Sequence, residues 1–479
     1  MPHQPHQFKR RESRRRKRRG RHRRLRSVYY RLYIHGQPRG RHHKRNNRQT
    51  FYQYLNSIRS KTFVKHSEII EFWVSRQAKI GPSPRTKPTD NVLRVPAVFS
   101  LSNEVHQAES FQFMRRLFDI LYNQRVTNLR IDYERCEQID IDAQVCMDVL
   151  LREFIRYFKD CDLHGVKRTF RVINPVSLNN EAIAKVLFSV GWFNLFNKID
   201  LSFPDVLPHR LQIGDRRHQN SSERRDIEIT KTVDYVVNCL NRMGKRLTKE
   251  AETQLYKVVG EVLINASEHA TTNYRYSIGY FQEQPHDEEV LGILQLVIMN
   301  FGDTIYEKFK DPDCPNQDVV KRMQRLSETY TRKKWFFNAE FEEETLWTLY
   351  ALQEGVTSHK NWRRGNGSIR FIDSFFGLKG DMEFDNLSSM TVLSGNTRII
   401  FDGTYQIETK EITKDGKTQR FKVMPFNRLG DIEEQPDKKF VKFVPDYFPG
   451  TMISAKICIK PGNTAPIQQP NTSSHDRNN

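Results

Sequence analysis

Apolar residues recur along this chain with two periods, and each change of period marks an element. Residues 92–101 (VLRVPAVFSL) predict a strand, with Pro96 suggesting a sheet edge. Over 108–123, Phe111, Met114, Leu117 and Leu121 form one stripe, which predicts a helix. NLRIDY, 128–133, predicts a buried-type strand. A second helix is predicted over 143–158, where Val145, Val149, Leu150, Phe154 and Ile155 are apolar at helical spacing. FRVIN, 170–174, is a further short strand, and 182–190 a helix stopped by Gly191. Strands alternating with helices imply an α/β layer structure with a partly parallel sheet over 91–200.

The pattern then lapses. Residues 198–226 are polar and loop-like, so 201–228 is expected to be a linker. From Leu247 a long helix begins, with Thr248 as its N-cap. Its stripe is Leu255, Val258, Val259, Val262, Leu263 and Ala266, a 3.6-residue period. Residues 274–282 predict a strand. Residues 290–300 predict a longer buried strand that runs into a turn, Phe301-Gly302-Asp303-Thr304-Ile305. The interval 306–355 is long and charged, with a loop (DPDCPNQD) and two helical stretches (VVKRMQRLSETY and EEETLWTLYALQEG). Arg364-Gly365-Asn366-Gly367 opens a helix whose apolar residues are Ile369, Ile372, Phe375 and Phe376. Two strands, SSMTVLSG and NTRIIFDG, are expected to meet at a Ser394-Gly395-Asn396 turn. A last strand follows Pro449-Gly450-Thr451.

Charge adds a feature that the hydrophobic pattern does not show. Of the 479 residues, the first 50 hold 19 Lys or Arg against one acid, Glu12, which is +18 of the net +21. Residues 1–50 are therefore expected to form an Arg-rich disordered arm, since such a block repels itself and buries no core. Residues 9–26 would engage phosphate backbones with strong salt dependence, and Tyr29, Tyr30 and Tyr33 could stack on bases. A solvated tail or a localisation signal is the competing explanation. Residues 51–90 are expected to hold a short helical segment and a Pro-rich linker (GPSPRTKPTD), and 461–479 a disordered tail. The six cysteines never form C-x-x-C, which argues against a zinc site and a disulfide framework. No apolar run reaches the roughly 18 residues that a membrane span needs. The basic N-terminus has no apolar segment behind it, so a cytoplasmic location is expected.

The chemistry concentrates in the last module. Glu261, Asn265 and His269 stand four apart on the long helix and so share one face. A carboxylate with an amide oxygen one turn on can hold a water and a Mg²⁺ ion together, given phosphate oxygens as further ligands. A solvated helix face is the plainer alternative. The glycines of Arg364-Gly365-Asn366-Gly367 would let backbone N–H groups approach phosphate oxygens at a helix N-terminus.

The order of elements over 91–200 resembles the STAS domain, the small module of anti-anti-sigma factors. The matching features are RIDYERCEQID, the helix after it, and the ending AKVLFSVGWFNLF. The phosphorylatable Ser of the signalling members has no counterpart in the turn Ile139-Asp140-Ile141-Asp142-Ala143, so a phosphoswitch at that turn is not expected. A plain α/β scaffold packed on the next domain is the alternative.

The series over 229–460 resembles the GHKL ATPase fold of histidine kinases, gyrase, mismatch-repair ATPases and anti-sigma-factor kinases. Glu261-x-x-x-Asn265 is similar to the N box. The resemblance implies Asn265 as the Mg²⁺ ligand and Glu261 as the catalytic residue that polarises the attacking group. Asn300-Phe301-Gly302-Asp303-Thr304-Ile305 is similar to the first glycine box, D-x-G-x-G-I. Gly365-Asn366-Gly367 is similar to the second, and Gly450-Thr451 to the closing strand whose Thr supports the adenine region. Two departures stand out. Asn300 replaces the Asp that accepts from the adenine amino group, and its amide adds a donor. Thr304 replaces the second glycine and would narrow the pocket floor.

The expected fold class is thus α/β (α+β), a STAS-like α/β module followed by a GHKL-type α/β sandwich with a mixed sheet. The expected function is an ATP-binding regulatory protein with ATP and Mg²⁺ as cofactors. It would act as a nucleotide-dependent switch, with 306–355 as a flexible lid, as a weak ATPase, or as a Ser/Thr kinase of a partner. The binding residues would be Asn265, His269, Asn300, Gly302, Thr304, Arg364, Gly365, Asn366, Gly367 and Thr451. The partner would be another protein, a homodimeric copy among the options. A nucleic-acid-binding protein acting through its arm, with a non-hydrolysing nucleotide fold as scaffold, is the second reading.

Overall fold

The computed structural model describes residues 67–83, 91–123, 128–163, 172–191, 203–268, 271–286, 289–331, 341–358, 367–379, 387–414, 417–459 and 464–466. The Arg-rich arm, His269, Arg364, Gly365, Asn366 and the tail from 467 lie outside the described residues. All described elements belong to one compact unit spanning 66–479.

The first part is a small parallel sheet. Strands β1 (Val92–Arg94), β3 (Asn128–Asp132) and β5 (Val172–Val176) pair in parallel, with Leu93 opposite Ile131 and Leu129 opposite Ile173. The strand predicted over 92–101 is interrupted around Pro96, where the ring removes a donor. It resumes as β2 (Val98–Phe99), which pairs in parallel with β4 (Gln138–Ile139). Helices α3 (Gln107–Asn123) and α4 (Ile141–Leu163) make the crossovers, and α5 (Glu181–Ser189) follows β5. Two further helices precede the sheet, α1 (Glu68–Ser75) and α2 (Gln77–Ile80). The first three turns of α4 are buried on every side, not on one stripe. A helix enclosed in this way packs between two layers, and α4 contacts both α1 and a strand of the second sheet.

That second sheet has five strands: β6 (Val206–Asp215), β8 (Tyr274–His286), β9 (Glu289–Phe301), β10 (Ser389–Phe401) and β13 (Val441–Cys458). Their spatial order is β10-β13-β9-β8-β6. The expectation of a mixed sheet is corrected here, because all four described pairings are antiparallel. The molecule as a whole still combines parallel and antiparallel sheets in a mixed α/β architecture. The expected Ser394-Gly395-Asn396 turn is also corrected: β10 runs straight through it, and the register slips on either side of Gly395. The extra residues lie on β13 between Phe443 and Thr451, and the irregularity lets the pairing resume without a chain reversal. The polar stretch 201–228, expected to be a linker, supplies edge strand β6 and the start of helix α6 (Ser221–Arg242). An edge strand needs backbone partners on one side only, so polar side chains do not prevent it.

Helices α6, α7 (Lys249–Glu268) and α11 (Gly367–Leu378) cover one face of this sheet. Thr248 caps α7 by accepting from the Ala251 backbone at 3.2 Å. The α7 stripe from Leu255 to Ala266 is fully buried against Leu294, Leu296 and Ile298 of β9. The period-2 alternation of β9 sends Val297, Met299 and Phe301 to the opposite face. There α1 seats Trp73, which stacks on Phe118 at 5.3 Å and meets Phe301 edge-on at 5.9 Å. Arg398 of β10 crosses to this side and donates to the Ser102 carbonyl and to Glu104.

After β9 come α8 (Ile305–Lys310), α9 (Gln317–Thr331) and α10 (Glu343–Ala351). The expectation of a flexible lid over 306–355 is corrected for its described part. Leu346, Trp347, Leu349 and Tyr350 of α10 are fully buried in the main core. The remaining short strands are β7 (Lys245–Leu247) paired with β14 (Thr464–Pro466), and the hairpin β11 (Glu408–Lys414) with β12 (Lys417–Val423). Cys136, Cys146, Cys239, Cys314 and Cys458 are buried free thiols. Among the described residues no helix is long and apolar enough to cross a membrane.

Candidate functional site

One cavity opens between α7, α11 and the C-terminal end of β9. Its enclosed volume is about 90 Å³, below the roughly 300–1,000 Å³ usual for small-molecule sites, so a nucleotide would also occupy the open mouth. The sheet builds its floor. Alternation on β9 puts Asn300 on the helix-covered side with Ile298, and alternation on β13 does the same for Thr451 and Ile453. Thr451 lies directly opposite Asn300 in the ladder. The strands approach closely enough here that only glycine fits before Thr451. Gly450 has φ +154°, and a Cβ on it would stand 2.0 Å from the Asn300 carbonyl oxygen.

The walls are helical. From α7 come Val262, Asn265 and Ala266; from α11, Ser368 and Phe371. The chain leaving α10 adds Leu352, Val356, Thr357 and Ser358, and α8 adds Ile305, Lys308 and Phe309. The lining is largely apolar, with a few amide and hydroxyl groups and two charged side chains, Asp303 and Lys308.

The sequence-predicted site residues fall into three groups. Asn265, Asn300 and Thr451, from segments far apart in the chain, line this one cavity. Glu261, Gly302, Thr304 and Gly367 are described but are not among its lining. Glu261 is half-buried one turn before Asn265, and Gly367 begins α11 next to Ser368. Thr304 is fully buried and caps α8: its hydroxyl accepts from the Glu307 backbone at 3.1 Å, while Glu307 accepts from the Thr304 backbone at 3.0 Å. This reciprocal capping box explains a Thr at that position. Gly302, at φ +154°, lets the turn approach Thr271, whose backbone nitrogen would lie 2.7 Å from an added Cβ. His269, Arg364, Gly365 and Asn366 lie outside the described residues.

Three residues of the site escaped the sequence reading. Ser394 ties the floor together: its hydroxyl accepts from the Ile305 backbone at 3.0 Å and lies 2.9 Å from the Thr451 hydroxyl. Asp303 lines the mouth, accepts from the Thr271 hydroxyl at 2.6 Å and pairs with Arg76 of the segment joining α1 to α2. Lys308 also lines the cavity, and among the described residues it has no ion-pair partner. Burial draws its ammonium down to about 8; Asp303 opposes that shift and Arg216 adds to it. In sequence Lys308 is one lysine in a long charged run, and only the fold turns it inward.

Helices α1 and α2 brace the turn that carries Asp303. Lys79 pairs with Glu307, Tyr447 donates to Glu307 at 3.1 Å, and Glu68 accepts from the Asn273 backbone at 3.0 Å. Among the described residues no three His, Cys, Asp or Glu side chains gather to hold a metal ion by themselves. Comparison with protein-family models, with curated proteins and with solved structures returned no match to this chain.

Proposed function

We infer that the chain binds a nucleotide, ATP by its resemblance to the GHKL fold, and uses it as a regulatory switch. The observation that supports this is the convergence of Asn265, Asn300 and Thr451 on a single cavity. They come from three separate motifs, and chance burial gives no reason for them to meet. In this reading the base lies over the sheet floor between Asn300 and Thr451, and the phosphates extend toward Asn265. A Mg²⁺ ion would take the Asn265 amide oxygen as a protein ligand and complete its shell with phosphate and water oxygens, a mode that Mg²⁺ favours. It would neutralise phosphate charge. Glu261 would polarise a water or hydroxyl in any turnover.

The module over 91–200, STAS-like in its strand and helix order, supplies α4 to the far face of the nucleotide sheet. A change of nucleotide state would be felt there only through a difference in affinity between two states of the sheet.

Calorimetry on the full chain with Mg²⁺ and ATP tests the reading. Asn265→Ala is expected to weaken binding at least tenfold, whereas Glu261→Ala is expected to bind as the wild type does and to release no phosphate. Wild-type affinity in Asn265→Ala would reject the assignment.

A further inference from the structure

The cavity has an uneven charge balance. Its lining contains two ionisable side chains, Asp303 and Lys308; the other polar groups are neutral amides and hydroxyls. Asp303 is already engaged by Arg76 and Thr271. Lys308 is half-buried, faces the cavity and has no ion-pair partner among the described residues. Asp303 opposes the shift of this ammonium only partly and is itself shared with Arg76, so an anion arriving in the cavity would relieve the remaining desolvation cost.

We propose that Lys308 is the residue that contacts a phosphate of the bound nucleotide, so that the site selects a phosphorylated ligand over the bare nucleoside. The inference rests on the nucleotide reading above and adds a residue that no motif in the sequence marks. Lys308 projects from α8 and Asn265 from α7, and both line the same cavity, so a phosphate held near Asn265 is one that an extended lysine side chain would meet. An ammonium is a compact point charge that accepts phosphate from several directions, which suits a residue on a short helix.

The pH dependence follows from the groups that face Lys308. The turn contributes Asp303 and the segment after β6 contributes Arg216. The described lining from α7, α11, β9, β10 and β13 brings no charge. With the ammonium drawn down to about 8, Lys308 loses most of its charge between pH 7.5 and 9.5. Phosphate affinity should fall with it.

The test is calorimetry on the full chain with ADP and with adenosine, at pH 7.5 and 9.5, for the wild type, Lys308→Met and Lys308→Arg. The wild type is expected to bind ADP about tenfold more weakly at pH 9.5, with adenosine unchanged. Lys308→Met should bind ADP at least tenfold more weakly at pH 7.5 and show no further fall. Lys308→Arg should hold its ADP affinity at pH 9.5. Two results overturn the role of Lys308 and leave the nucleotide reading standing: equal ADP affinity in wild type and Lys308→Met, or equal losses for ADP and adenosine in Lys308→Met. The second would mean an altered cavity shape. No binding of either ligand by the wild type overturns both the role and the reading. A thermal melt of each variant confirms that it folds.

Discussion

Lys308 shows how a single side chain can be set against the fold that carries it. Its ammonium is drawn down to about 8 by burial, below the ordinary lysine value of about 10.4. Between those values the unfolded chain binds more protons than the folded one, so stability rises with pH across that window. Below it the folded state carries the full cost of the buried charge. Lys308→Met removes that cost and is expected to stabilise the ligand-free chain by about 1–2 kcal/mol at pH 7, after a discount for partial exposure. The variant should also lose the rise in stability from pH 8 to 10 that the wild type gains from this group. Urea midpoints at pH 7 and 10 measure both effects. Equal midpoints for the two proteins at pH 7 would mean that the ammonium is well solvated. A substitution that weakens ligand binding while raising stability is the signature of a functional residue.

At the scale of elements, what could be read from the sequence depended on how local the determining contacts are. The α7 stripe was legible because it faces one core with a regular period, and β8 and β9 because apolar-rich runs mark strands buried on both faces. Strand β6 was not: Arg210 and Gln212 sit in a strand held by backbone pairing with β8 along one edge. The all-round burial of the first three turns of α4 was hidden as well, since α4 also packs on β9, more than a hundred residues later. The neighbourhood of Asn265, Asn300 and Thr451 was legible only as a resemblance, because no local pattern states which strand ends meet. The junction of β9 and β13 makes that neighbourhood testable. A Cβ at Gly450 would lie 2.0 Å from the Asn300 carbonyl oxygen, at a φ of +154°. Gly450→Ala must therefore push the strands apart or strain the backbone. It is expected to cost about 2–3 kcal/mol in urea unfolding and to reduce nucleotide affinity by displacing Thr451. A variant as stable as the wild type would show that the strands have room to spare.

Across the whole molecule, the five-stranded sheet lies between two different environments. On one side α6, α7 and α11 enclose the cavity; on the other α1 and α4 bury Phe301, one residue past Asn300. The turn that carries Asp303 belongs to both sides, facing the cavity while Arg76 holds it from outside. The central claim is that segments 262–266, 298–303 and 451–453 form one nucleotide site. Hydrogen exchange of the full chain with and without Mg²⁺-ATP tests it most directly, because protection reports each segment separately. The account predicts that ATP slows exchange in all three segments together, and that Asn265→Ala abolishes the effect in all three. Protection confined to the Arg-rich residues 9–26, or no protection anywhere at millimolar ATP, would contradict it.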